Sequence, residues 1–456
     1  MKIKKIILEN FRCFGKLEVD FSEKLTVFVA ANGQGKTAIL EAVTYLLGIM
    51  LGRLPQVAVP KLKMSDFRTE WLEENGFLDY KEWRPVGLAP YMRLTGENYS
   101  GQKWDTTLKR DASSETLSHI PQALGGKEVL ALADILIDRT NNSEPPSEFF
   151  PVFAYYDTER AVIRQKPERR RNFQKVFNRF DGYRDALNGQ LKYKKMIEWL
   201  CFLEDKQRRE KEQVRDWDYQ TLEQITIQSA IKKMLPGFKN LRTVLRPLDL
   251  IVDIEDGQNS FRTCRIDSQL SDGYKIVLVL VLDLVSRILE LNANIPSATP
   301  EKLLNVPGVV LIDEVDLHLH PSWQQRIIGD LQRTFPNIQF IVTTHSPQVV
   351  SSVPSESIRV IAEGKVLNAS IKTDGARAEQ ILCDIFGVEA RYANSEVTKN
   401  LAEYQLLINQ DQWDSERGKE LWIKLQDMLS TDPVLAKLAM KVHLKEYQRA
   451  QNEKNQ

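Results

Sequence analysis

Apolar and β-branched residues come in short runs at the start of the chain. Residues 2–8 (KIKKIIL) and 25–30 (LTVFVA) read as strands, and 37–48 (TAILEAVTYLLG) carries the wider apolar spacing of a helix. The order is strand, glycine-bearing loop, helix. From about 52 to 150 the pattern breaks into short pieces rich in Pro, Trp and Gly. Within it, 141–147 (NNSEPPS) is a loop, and 152–156 (VFAYY) follows as a buried strand. Residues 159–235 hold many Lys, Arg, Glu and Gln and almost no Pro, which predicts helices. That segment is too short, and its heptads too irregular, for a long antiparallel coiled-coil arm. Strands are expected again over 241–266, then a long helix over 273–291 and a Pro/Ala/Ser linker over 292–299. The runs 309–312 and 338–343 suit parallel strands covered on both faces. The tail from 376 is Leu-, Lys- and Glu-rich and reads as helical.

Composition narrows the class without naming a chemistry. Over 456 residues, Lys+Arg and Asp+Glu are 62 each, so any basic surface must be local. The 42% apolar and 27% charged content is that of a soluble globular protein. Cys13, Cys201, Cys264 and Cys383 are scattered, which argues against a disulfide framework or a zinc site and fits a reducing cytosol. The basic start has only a three-residue apolar run before Glu9, so no signal peptide is expected. The apolar run 276–282 stops at Asp283, well short of the roughly 20 residues of a membrane span. A cytoplasmic protein without membrane contact is expected.

The chemistry starts at 30–37, AANGQGKT. Backbone N–H groups of such a loop can wrap phosphates, helped by the partial positive charge of the helix N-terminus that follows. Gly33 and Gly35 let the backbone come close, Lys36 is placed for the β- and γ-phosphates, and the Thr37 hydroxyl for Mg2+. Asn32 and Ala38 flank the same path. The usual first glycine is Ala30, the smallest replacement, and the change is expected to be tolerated. Residues 309–314 (VVLIDE) form an apolar strand ending in two acids, which would bring Asp313 beside Mg2+ and Glu314 to an attacking water. His345, in 343–347 (TTHSP), falls where a γ-phosphate sensor belongs. In 270–273 (LSDG), Ser271 and Gly273 could offer a hydroxyl and amides to a phosphate, although the tetrapeptide taken by itself favours a plain helix cap. In this order the four elements describe an ATP site.

The set resembles the ATP-binding-cassette (ABC) ATPases. The resemblance implies an α/β P-loop NTPase head, ATP and Mg2+ as ligands, and Ser271 and Gly273 completing the site of another protomer. A homo-oligomer, at least a dimer, follows. The entry 8–14 (LENFRCF) is similar to that of the RecF/SMC/OLD branch, where the arginine, here Arg12, lies near the nucleotide. The run 316–321 (DLHLHP) is similar to the branch's D-loop, with Asp316 replacing the usual Glu. That assignment explains His318 and His320 better than a metal site does. No acidic cluster of a Toprim nuclease follows His345, and the arms of SMC or Rad50 proteins do not fit between residues 37 and 270. What remains looks most like the ATPases of phage-defence operons, the Septu subunit PtuA and retron-associated relatives. That family works with a separate HNH endonuclease, PtuB, held in an oligomer and restrained by nucleotide.

The expected layout is a nucleotide-binding lobe from 1–50 and 300–372, a largely helical lobe over 51–299 carrying LSDG, and a helical C-terminal extension over 373–456 for partner or protomer contacts. Arg160, Arg164, Lys166, Arg169, Arg170, Arg171, Lys175, Arg179 and Arg184 could form a stripe for DNA phosphates, or simply a solvated helix face. The histidines are too few and scattered for an HNH centre, so any DNA cleavage is expected from a partner. The alternatives are a RecF-like repair ATPase and a nucleotide-gated scaffold with negligible hydrolysis.

Overall fold

The computed structural model describes residues 1–75, 81–113, 116, 118, 120–142, 148–161, 178–189, 193–245, 248–255, 260–389, 391–392, 394–430 and 432–454. Two compact units divide the chain, Met1–Ile381 and Leu382–Gln456.

The first unit is an α/β P-loop NTPase fold. Its strands, in chain order, are β1 (Ile3–Phe11), β2 (Phe14–Asp20), β3 (Leu25–Val29), β4 (Thr69–Asn75), β5 (Lys81–Leu88), β6 (Tyr91–Asn98), β7 (Lys103–Lys109) and β8 (Val152–Tyr156). They continue with β9 (Phe238–Leu245), β10 (Leu248–Glu255), β11 (Phe261–Arg265), β12 (Gly308–Ile312), β13 (Ile338–Thr344), β14 (Ile358–Ala362) and β15 (Lys365–Asn368). The central sheet has the order β15-β14-β3-β13-β12-β8, with all neighbours parallel except β15. Every residue of β3, β8, β12 and β13 is buried, which is why these segments read as unbroken apolar runs.

An antiparallel sheet, β2-β1-β6-β7, lies beside the helix Lys36–Leu51. The buried Trp104 of β7 donates its indole N–H to the Leu46 carbonyl of that helix at 3.1 Å. Gln339 of β13 ties the two sheets together. Its amide accepts from Ile3 N–H and donates to the carbonyls of Ile3 and Ser22, at 2.7–2.9 Å. A third sheet, β11-β10-β9, precedes the helix Asp272–Asn292, whose 276–282 run is buried as the sequence predicts.

The expectation of a largely helical segment over 51–299 differs from the structure. That segment carries β4–β7 and β9–β11 as well as helices, and its β8 belongs to the central sheet. In β6 the alternation is hidden because the inward face, after Met92 and Leu94, continues with Gly96 and Asn98, while Arg93 on the other face is buried as well. Arg93 is satisfied there by Asp105 of β7 at 2.9 Å, and Asn98 by Gln102 at 2.7 Å. The predicted helices of 159–235 occur at Tyr193–Val214 and Leu222–Met234, while residues 162–177 lie outside the described residues.

The second unit contains the helices Glu396–Asn409, Glu416–Leu429 and Pro433–Lys454. Leu401, Trp413, Leu421 and Leu425 join its buried cluster, and Leu407 and Trp422 pack at its margin. Leu406 points outward, 55% exposed.

Candidate functional site

The fully buried strand β3 ends directly before the 30–35 loop, which therefore leaves from a rigid base. Within the loop the positive-φ positions are Gly33 (φ 80°) and Gly35 (φ 90°), and Ala30 is not one of them. The position that departs from the usual motif thus makes no demand that only glycine could meet. A Cβ on Gly35 would lie 2.7 Å from Cys13 Sγ and 2.4 Å from the Phe14 ring, so both chirality and space require glycine there. Asn32 and Gly33 are exposed, and Ala38 is buried in the first turn of the helix.

Lys36 is buried, and its ammonium donates to the carbonyls of Ala30 at 2.9 Å and Ala31 at 3.3 Å. Burial lowers its pKa, opposed by the nearby charges of Asp313, Glu314 and Asp316. A desolvated cation whose hydrogen bonds go to carbonyl dipoles is well suited to bind a phosphate. Thr37 donates to Asp313 Oδ2 at 2.6 Å, joining the loop's hydroxyl to the carboxylate at the end of β12.

The parallel pairing of β12 with β13 sets the two acids against Thr343. Its hydroxyl donates to Asp313 Oδ1 at 2.5 Å and accepts from the Glu314 N–H at 2.7 Å. Glu314 has φ 47°, a left-handed conformation that costs a non-glycine residue on the order of 1 kcal/mol. Here it turns the chain sharply after the strand. One residue on, Thr344 donates to Asp316 at 2.5 Å. His345 follows, half-buried, and Ser346 caps the next turn while bonding Gln324 at 2.8 Å. Thr37 and Asp313 are hard oxygen donors of the kind Mg2+ takes, so the residues present fit that ion.

Arg12 meets the same helix one turn beyond Thr37, at Glu41. It has φ 51°, pairs with Glu41, and bonds Asp66 through Nε at 3.0 Å. Asp66 is buried and also accepts from Tyr45 at 3.1 Å and from Lys63 N–H at 2.9 Å. Burial and the Asp66 carboxylate push the Tyr45 phenol up to about 12.

The LSDG element sits at the N-terminus of Asp272–Asn292, where Ser271 is exposed and its hydroxyl makes no cap. Gly273 lies against the D-loop, and an added Cβ would come 2.9 Å from the His318 carbonyl oxygen. Tyr274 stacks edge-on to Trp323, centroids 5.1 Å apart. His320 caps the turn 321–324 and bonds Ser322 at 2.9 Å, and among the described residues no group of three or more His, Cys, Asp or Glu forms a metal cluster. Of the basic run 160–184, Lys175 and the residues 164–171 lie outside the described residues. Arg179 is buried against Phe150, and Arg184 pairs with Asp181. Those two therefore do not extend a free basic stripe.

The sequence reading missed Thr343, Glu41 and Asp66. Thr343 stood inside the TTHS run, and its signal was two hydroxyls ending a strand of aliphatics. Asp66 left none, since its partners are remote in sequence.

A family model described as an AAA domain matches residues 5–237. The retron Ec83 probable ATPase of Escherichia coli is 28% identical, over 95% of this chain and 84% of its own length. The Septu protein PtuA of Bacillus mycoides is 32% identical over 35% of this chain and 22% of its own. The DNA replication and repair protein RecF of Lactococcus lactis is 50% identical over 46 residues, 10% of this chain and 13% of its own.

Proposed function

The chain belongs to the AAA-domain family, as an ABC-type ATPase of the RecF/SMC/OLD branch, and from that premise we propose that it is the ATPase subunit of an anti-phage complex. The observation that carries the nucleotide site is the bonded chain Thr37–Asp313–Thr343–Glu314, with the buried Lys36 held by the loop's own carbonyls. Lys36 and the loop amides hold the β- and γ-phosphates of ATP. Thr37 and Asp313 hold Mg2+, which when bound neutralises charge on the phosphate oxygens. Glu314, with its backbone fixed by Thr343, accepts a proton from the attacking water. His345 donates to the γ-phosphate, and Arg12, paired with Glu41 on the helix that follows the loop, lies near the nucleotide. Ser271 and the amides beside Gly273 close the site of a neighbouring protomer, so the working unit is a homo-oligomer. The nucleotide state of that assembly governs a separate HNH endonuclease, and DNA is engaged through the complex.

Purification of the tagged chain, expressed with its native flanking genes, tests this reading. A stoichiometric HNH protein, retained or released according to added ATP, is the expected result. Its absence with those genes demonstrably expressed would move the assignment to a repair ATPase or a nucleotide-gated scaffold. No helix among the described residues is long and apolar enough to cross a membrane.

A further inference from the structure

Two adjacent tyrosines at the end of β8 face opposite sides of the central sheet, and their hydroxyls meet opposite fates. Tyr156 is buried and donates to Asp283 at 2.9 Å, a carboxylate that also accepts from Arg287 at 2.7 Å. Tyr155 is 6% exposed, and its buried hydroxyl finds no hydrogen-bond partner among the described residues. A buried hydroxyl left unpaired is destabilising, so natural cores rarely keep one without a use. The isosteric Phe would fill the same space without that cost.

The register says which side of the sheet Tyr155 faces. β8 is the edge strand beside β12, and Tyr155 pairs with Leu311. Side chains alternate along a strand, so Tyr155, Leu311 and the position of Asp313 share a face. The Asp313 N–H donates to the Tyr156 carbonyl at 2.8 Å, which extends the pairing up to the acid itself. On the helix Lys36–Leu51, Thr37 and Glu41 are four residues apart and so also share a face. Thr37 touches Asp313, and Glu41 touches Arg12. Burial, then the charges of Asp313, Glu41 and Asp157, push the Tyr155 phenol far above its ordinary pKa, with Arg12 opposing. The group is a neutral donor on the face of the sheet that carries the position of Asp313.

We propose that the Tyr155 hydroxyl is a positioning residue for the Mg2+–nucleotide, donating to a water of the ion's hydration shell beside Asp313 and Glu41. The inference rests on the nucleotide-site reading above and adds to it a donor on β8, on the face of Asp313. A donor there orients the water, and through it the geometry at Asp313, while the tyrosine itself touches neither phosphate nor metal. Outer-shell partners of this kind are commonly worth about tenfold in metal affinity.

The test compares full-length wild type and Tyr155→Phe, titrating Mg2+ at fixed AMP-PNP and following binding by calorimetry, with a parallel measurement in EDTA. The Mg2+ concentration at half-saturation is expected to rise about tenfold in the variant. AMP-PNP affinity in EDTA should stay within about twofold, and the nucleotide-free melting temperature should not fall, because only an unpartnered hydroxyl is removed. An unchanged Mg2+ requirement overturns the proposal whatever happens to the melting temperature, since the hydroxyl would then be a structural group. An equal loss of binding in EDTA overturns it too. If the wild type itself shows no Mg2+-dependent binding, the nucleotide-site reading fails first, and the two failures remain distinguishable.

Discussion

The loop 30–37 and the LSDG element, both proposed to meet phosphate, are built in contrary ways. Around the loop the buried polar groups hold one another. Lys36 holds two carbonyls, Thr37 holds Asp313, and Thr343 holds both Asp313 and the Glu314 backbone. At LSDG the serine is exposed and caps nothing, and the glycine is pressed against the D-loop. A preorganised half keeps its geometry without a partner, because reorganisation costs are already met in folding. A half with a free hydroxyl at a helix N-terminus becomes useful only when something is brought to it. The contrast is what the proposed composite site would require, and it can be broken from either side.

The largest effect should come from Glu314→Gln. Removing a general base costs roughly 10²–10⁴ in rate. ATP binding should persist, because the amide keeps the side chain's shape and the Glu314 N–H keeps its bond to Thr343. Single-turnover hydrolysis alongside equilibrium binding checks both halves of that statement. Turnover at the wild-type rate would remove Glu314 from its role.

Next in size is a pair of variants that reads the contrast directly. Lys36→Ala should weaken ATP binding on the order of 10–100-fold, the worth of a charge-assisted contact. Ser271→Ala should leave binding to the isolated chain intact and lower turnover about tenfold. Mixed together, the two proteins should recover activity, because a dimer of the two types contains one site with both Lys36 and Ser271 intact. Recovery to no more than the sum of the separate activities would place both residues in one protomer's site and end the composite reading.

Much of the loop half was readable in the sequence, and the reason is physical. Its strands are buried on both faces, so the code is a plain apolar run, and Gly33 and Gly35 stand where the loop's φ is positive. The rest of the site was hidden because its partners are set by tertiary register. Asp66 meets Arg12 and Tyr45 across 54 and 21 positions. Thr343 meets Asp313 only through the β12–β13 pairing. The antiparallel strands of 69–109 were hidden for another reason, since β6 buries Arg93 and Asn98 and so lacks the alternation that announces a strand. Buried polar pairs erase the signal that burial usually writes.

Asp66→Asn tests one of those hidden contacts. The buried carboxylate accepts from Arg12, Tyr45 and the Lys63 N–H, so its loss leaves an arginine without half of its charge partners. A loss of about 3 kcal/mol in denaturant unfolding is expected, in line with breaking a buried pair. ATP affinity should fall less than it does in Lys36→Ala, since the loop itself keeps its bonds.

The smallest effect belongs to Ala30→Gly, which restores the usual motif. Ala30 is 4% exposed, does not adopt positive φ, and contributes its carbonyl to Lys36. Every one of those features survives the change. Glycine adds freedom to the unfolded chain, so stability should drop by roughly 0.5–1 kcal/mol. Nucleotide affinity should stay within about twofold, a difference of about 0.4 kcal/mol. A marked gain in affinity would mean that the methyl group obstructs the phosphates and that this loop is a weakened one. No change would show that the glycine of the usual motif serves the turn out of the strand, which alanine makes equally well here.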